Sequence, residues 1–388
     1  MIFPLERLRL TQPWMLISCS TISPLCKSEI HKSLAIRINS TATSKRRLYF
    51  NGMYGIVANI ILLNIETFIV IPWFVVSQSS ADLRRQARVA VYAIGGNALS
   101  DPTSRKSSKE VLEKVMDDII NLLEAGYRLL ITHGNGPQVG DLLMLEETCL
   151  IERSRVGLDE WVAATQGMIG HTLSLNLESH LSKKHRPERT AVVLTRVEVD
   201  KSDIAFASPT KPVGPILDED TIARMDWDIA TTAHGARRVV PSPKPLRILD
   251  LEVINSLLEL NAVVICAGGG GIPVVLDGAP KGVAAVIDKD RVSALLACDL
   301  KADLLVFSTG VDAVRRDFGL ESEEVIREMD VDLAQSLLNE GQCPAGSMGP
   351  KVEAMIEARI NSKTGNIVLC QPGDVLGAVR GDCGTQLV

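Results

Sequence analysis

The chain has 388 residues, enough for two or three domains of ~150 residues, so it is not a small disulfide-stapled module. Hydrophobic residues make up 46% and charged residues 23%, which excludes wholesale disorder, while 4% aromatics beside 29 glycines favour an aliphatic-packed α/β protein with many tight turns. The net charge of −6 argues against a general nucleic-acid binder, whose affinity needs a basic footprint, so any anionic ligand must be met by local cations.

Residues 1–87 differ from the rest. The first 52 carry eight Lys/Arg against only Glu6 and Glu29, and 56–76 is an almost unbroken apolar run interrupted by Asn59, Asn64, Glu66, Thr67 and Pro72. That length spans a bilayer of ~30 Å as a helix, yet Glu66 near its centre costs on the order of 2–3 kcal/mol on insertion. Three readings stay open: a signal anchor, a transit leader, or a stretch wrongly joined to the gene, with Met53 as another start. Membrane association is expected only through 56–76.

From residue 88 onward strands alternate with helices. The run 89–94 (VAVYAI) reads as a buried parallel strand that stops at Gly95-Gly96-Asn97. A helix follows, with Val111, Leu112, Val115, Ile119, Leu122 and Leu123 at three-to-four-residue spacing and Gly126 closing it. Next, 129–131 leads into His133-Gly134-Asn135-Gly136-Pro137, and 191–194, 262–266, 304–307 and 367–370 repeat the apolar strand pattern. The predicted fold is α/β, an open, mostly parallel sheet sandwiched by helices, with ligands held beyond the carboxyl ends of the strands.

Those ends are where glycine concentrates: Gly95-Gly96-Asn97, Gly134-Asn135-Gly136 and Gly268-Gly269-Gly270-Gly271. Glycine lets backbone N–H groups approach an anion with no Cβ in the way. One such turn is weak evidence; three at three strand ends point to a phosphate-bearing ligand. No GxxxxGK[ST] exists, no GxGxxG opens the first helix, and kinase HRD and DFG signatures are absent, so a nucleotide would be bound by another architecture. The eight cysteines form no CxxC pair, which places the core in a reducing compartment, expected to be the cytoplasm. The six histidines are scattered and read as exposed polar residues, and no metal cage is visible.

Phosphoryl transfer asks a protein to align two anions and neutralise the moving charge. Three lysines stand in constrained contexts: Lys211 in Pro209-Thr210-Lys211-Pro212-Val213-Gly214-Pro215, predicted as a protruding loop; Lys289 between Asp288 and Asp290; and Lys351 after Gly349-Pro350, entering the amphipathic segment 352–360.

The motifs GGNAL (95–99), THGNGPQVG (132–140), TQGMIG (165–170), LTRVEVD (194–200), PTKPVGP (209–215), VVPSPKP (239–245), AGGGGIPV (267–274), VIDKD (286–290) and GSMGPKVEA (346–354) resemble the carbamate kinases of the amino-acid-kinase family, in order and approximate spacing, across 88–388. The resemblance implies reversible phosphoryl transfer between carbamoyl phosphate and ADP, giving ATP and carbamate. It implies that Gly95, Gly96, Asn97, Gly134, Asn135 and Gly136 offer backbone donors to the transferred group, and that Lys211 reaches in from a lid over 196–250. Lys289 and Lys351 would clamp the phosphates, with Asp290 orienting them. Gly268, Gly269, Gly270 and Gly271 would line the nucleotide side, within a half running over 251–388. Magnesium would be carried by the nucleotide, and a homodimer is implied. Gly310 and Arg315 stand where the family usually carries an acid and a tyrosine. The alternatives are another family member acting on a carboxylate or phosphonate, such as an acylglutamate kinase, and a catalytically idle nucleotide- or metabolite-binding homologue.

Overall fold

The computed structural model describes residues 88–95, 105–148, 156–232, 235–344, 346–361 and 364–388. The leader 1–87 with its apolar run, and Gly96 and Asn97, lie outside the described residues.

The expected sheet is present. Eight strands run in the order β15 (Glu328–Met329), β17 (Thr385–Leu387), β16 (Asn366–Cys370), β12 (Leu304–Ser308), β1 (Arg88–Ile94), β2 (Tyr127–His133), β9 (Ala262–Cys266), β3 (Arg189–Val193). Every neighbouring pair is parallel except β16 with β17. In β1, Ala90, Tyr92 and Ile94 face one side and Val91 and Ala93 the other, all fully buried. Strands buried on both faces read as continuous apolar runs, which is why the sequence shows no alternation there.

Helices cover both faces. On one lie α1 (Arg105–Glu124), α3 (Leu158–Lys183) and α9 (Val375–Arg380), packing Val115, Ile119, Leu173, Leu177 and Ala378. Gly126, with φ of +84°, turns the chain after α1 in the left-handed region that Gly adopts without strain. On the other face lie α5 (Leu251–Glu259), α6 (Lys289–Asp299), α7 (Val331–Asn339) and α8 (Gly349–Asn361), contributing Leu258, Val292, Leu337 and Met355. Helix α2 (Gly136–Thr148) begins at the end of β2. Among the described residues no helix is long and apolar enough to cross a membrane.

The chain leaves this layer at Arg196 and returns at Asp250. There the Asp250 carboxylate accepts the Arg196 backbone N–H at 2.7 Å and its Nη2 at 2.6 Å. Strands β4 (Arg196–Val199) and β8 (Pro245–Ile248) pair antiparallel beside β10 (Ile272–Asp277) and β11 (Ala279–Gly282). Between them β5 (Lys211–Val213), β7 (Gly235–Val240) and β6 (Ile229–Thr232) form a separate antiparallel sheet, with α4 (Glu219–Arg224) between β5 and β6. Lys211 therefore does not stand in a loop, as the three prolines suggested. It opens a strand paired with Val240, and Pro212 is accommodated because β5 is an edge strand that need not donate on its outer side.

Candidate active site

Two helix starts meet beyond the strand ends. Asp288 caps α6: its Oδ1 accepts the N–H of Asp290 at 2.8 Å and of Arg291 at 3.4 Å. Lys289 is the first residue of α6 and Lys351 the third of α8. A lysine in a first turn opposes the helix dipole, which favours anions there by ~0.3–1 kcal/mol. Two such violations side by side gather amide dipoles and ammonium groups into one cationic cluster.

The ammonium groups converge on two carboxylates. Lys211 Nζ donates to Asp288 Oδ2, Lys289 Nζ to Asp290 Oδ1, and Lys351 Nζ lies 3.3 Å from Asp290 Oδ2. Lys351 also donates to the Ser347 carbonyl at 3.2 Å. Three cations on two carboxylates leave one net positive charge. Lys289 and Lys351 side chains are 10% and 13% exposed, against 32% for Lys211. Burial and the neighbouring Lys351 push the Lys289 ammonium below its ordinary pKa, opposed by Asp290. Burial works to raise the Asp288 pKa, but Lys211 and then Lys289 hold it well below the usual carboxylate range.

Lys211 arrives because its strand is anchored. Val213 is buried with Val139 and Leu143 of α2, Leu158 and Val162 of α3, Val240 of β7, and Val286. Burying such a side chain contributes roughly 1.5–3 kcal/mol. The Gly214 N–H donates to the Gly136 carbonyl at 3.3 Å, and a Cβ on Gly140 would lie 1.9 Å from Gly214 Cα, so two glycines permit the close approach.

Two of the glycine amides expected as donors are engaged within the sheet. The Gly95 N–H donates to the Ser308 carbonyl at 2.8 Å and the Gly134 N–H to the Ile94 carbonyl at 3.3 Å. Both amides still belong to the sheet ladder, so neither is the free donor that the sequence suggested. Gly268–Gly270 forms a buried 3-10 turn locked into the end of β2: a Cβ on Gly268 would meet the His133 ring at 2.3 Å, and one on Gly269 would meet Asn135 Cγ at 2.2 Å. Gly271 backs onto Val197 in the same way. Asn135 Nδ2 donates to Thr165 Oγ1 at 2.9 Å, tying the turn to α3.

His133 is 1% exposed, contrary to the surface reading of the histidines. Burial pushes its imidazole down to about 4, with the Lys289 charge acting the same way against its bond to the Gly134 carbonyl. Thr132 Oγ1 and Ser293 Oγ lie 2.7 Å apart, and Ser293 donates to the Lys289 carbonyl, joining β2 to α6 beneath the lysines. Asp288, in sequence one of two carboxylates flanking Lys289, instead caps α6 and pairs with Lys211, a partnership that no local signal announced. Arg315 is held by Asp312 at 2.9 Å and by Glu323. Among the described residues no group of three His, Cys, Asp or Glu could hold a metal ion.

An amino acid kinase family model matches residues 88–369. The carbamate kinase of Halobacterium salinarum is 41% identical over 306 residues, covering 77% of this chain and 97% of the relative. That of Pyrococcus furiosus is 38% identical, covering 77% and 98%. Among solved structures, the carbamate kinase from Giardia lamblia bound to AMP-PNP superposes with a TM-score of 0.70 at 32% identity, covering 78% of this chain and 99% of that one. The chain belongs to the amino acid kinase family, in its carbamate kinase branch.

Proposed function

We propose that the chain is a carbamate kinase, moving a phosphoryl group reversibly between carbamoyl phosphate and ADP to give ATP and carbamate. The observation that carries this reading is the convergence of Lys211, Lys289 and Lys351 on Asp288 and Asp290 at two helix N-termini. Charge on the transferring phosphoryl oxygens is what such a cluster stabilises, and alignment plus electrostatics is nearly all that phosphoryl transfer requires.

Lys211 neutralises the moving group from a lid over 196–250, while Lys289 and Lys351 hold the phosphates of the nucleotide. Asp290 keeps those two ammonium groups together and Asp288 holds Lys211 ready. Asn135 and Gly136, where β2 gives way to α2, offer their amides to the transferred group on this reading. Carbamate and ADP attack as anions, so no general base is needed, and the one histidine near the lysines among the described residues, His133, is buried. Magnesium enters as part of the nucleotide substrate: Asp288 and Asp290, the carboxylates nearest the phosphates on this reading, are engaged by lysines. The working unit is a homodimer. Exposed Met168 and Leu175 on α3, with Val192 and Leu194 at the sheet edge, supply an apolar strip for it. The core works in the cytoplasm, where its free thiols Cys266, Cys298, Cys343, Cys370 and Cys383 remain reduced.

The test is ATP formation by the purified full chain from carbamoyl phosphate, Mg2+ and ADP. Turnover here, and none in the reverse direction with N-acetylglutamate as acceptor, is the expected result. Turnover only with another acid would replace the substrate, and nucleotide binding without turnover would make the chain an idle homologue.

A further inference from the structure

Arg237 is half-buried in the middle of β7, and among the described residues no carboxylate pairs with it. Several arginines elsewhere in the chain are matched by acids: Arg196 by Asp250, Arg247 by Glu198, Arg291 by Glu353, Arg315 by Asp312. Arg237 instead turns its fork on one backbone carbonyl, that of Gly214, with Nε at 3.1 Å and Nη2 at 2.5 Å. Burial without a counter-charge lowers its pKa. A desolvated guanidinium spent on one carbonyl needs a reason, and the reason lies in what Gly214 does.

Gly214 stands three residues after Lys211 and is held from two sides. Its N–H reaches the Gly136 carbonyl at the start of α2, and its Cα is close to Gly140 of the same helix. Its φ of +70° is a left-handed conformation that glycine adopts without strain. The grip therefore fixes the end of the strand whose first residue presents the ammonium to Asp288. Lysine offers no planar fork and cannot bring two N–H groups to one oxygen in this way.

We propose that Arg237 is a positioning residue for phosphoryl transfer: by gripping the Gly214 carbonyl it latches the 211–214 segment onto α2 and delivers Lys211 to the reacting group. This inference rests on the carbamate kinase reading. Hydrogen bonds to a charged group shift an equilibrium by on the order of 10- to 100-fold, so releasing the latch lowers the fraction of molecules with Lys211 in place by that factor.

The experiment uses the full chain as wild type, Arg237→Gln, Arg237→Lys and Gly140→Ala. Two quantities are read: steady-state kinetics, and acylation of each lysine by an amine-reactive acetyl ester, resolved by peptide mass spectrometry. Arg237→Gln is expected to lower kcat ~10- to 100-fold with little change in the KM for ADP, and to raise Lys211 acylation severalfold relative to exposed Lys201. Arg237→Lys falls between it and wild type. Gly140→Ala reproduces both effects from the opposite surface, although alanine is the better helix former. Unchanged Lys211 acylation in Arg237→Gln and Gly140→Ala overturns the latch, whatever the rates do. A wild type that forms no ATP overturns the functional reading instead, and the acylation ratio still decides the latch.

Discussion

Asp290→Asn is the perturbation most tightly specified by the geometry. Asparagine keeps the shape of the side chain and removes one charge, so the three lysines would face Asp288 alone. The two ammonium groups on Asp290 are 10% and 13% exposed, and breaking a buried pair from one side costs about 3–5 kcal/mol. With ~2–4 °C per kcal/mol for a large domain, the ligand-free variant should melt roughly 6–20 °C below wild type. The pH dependence has a definite sign. Burial already holds the Lys289 pKa below its unfolded value, so the stability tied to it is present above that value and is lost as pH falls. Without the Asp290 charge that window widens, and the deficit should narrow as pH rises toward the ordinary lysine range. Inorganic phosphate supplies the missing counter-charge; at ~100-fold excess over its dissociation constant a ligand stabilises by about 2.7 kcal/mol, and the variant should gain more than wild type. Scanning calorimetry over pH and phosphate concentration measures all of this. Equal melting temperatures, or a phosphate gain no larger than that of wild type, would refute the reasoning.

Further outcomes follow from single groups. The His133 imidazole, held to about 4 by burial, should stay neutral in the folded protein down to about pH 5; histidine NMR showing titration near the ordinary value would contradict its placement. Asp118 accepts from Tyr92 Oη at 2.7 Å and from the N–H groups of Gly373 and Val375, and burial raises its carboxyl to about 6. Its stabilising contribution is present below about 4 and lost as pH rises through about 6, a swing on the order of 3 kcal/mol. The melting temperature of wild type relative to Asp118→Asn should therefore fall across that window, and parallel curves would contradict it. Gly269→Ala places a Cβ against Asn135 at a φ of +62° and should destabilise by roughly 2–5 kcal/mol, whereas Gly278→Ala, with φ +76° and no neighbour within 4 Å, should cost only about 1–2 kcal/mol; equal chemical-denaturation midpoints would remove the interlocked turn.

The parts of the fold that were legible are those where local pattern and tertiary fate coincide. The runs 89–94, 129–131, 262–266, 304–307 and 367–370 are apolar without alternation because both of their faces are covered, and they became β1, β2, β9, β12 and β16. Lys211 and Lys351 were legible because glycine and proline surrounded them, and Lys289 because two aspartates flank it. Long-range contact was not. Nothing local says that Gly268 is a glycine because of a histidine 135 residues earlier in the chain, or that Asn135 fills the space at Gly269. The amides of Gly95 and Gly134 look free in sequence and are spent only because neighbouring strands pass them. Lys211 was assigned to a loop because proline density was weighed without knowing that its strand lies at an edge.

Lys211→Ala in the carbamoyl phosphate and ADP assay tests the central claim most directly. Lys211 is one-third exposed but its partner Asp288 only 11%, so the variant should melt several degrees below wild type yet stay folded at the assay temperature, while kcat drops ~100-fold or more, about 2.7 kcal/mol of lost transition-state stabilisation. ATP formation at a near wild-type rate would show that the charge of the lid does not serve the transfer.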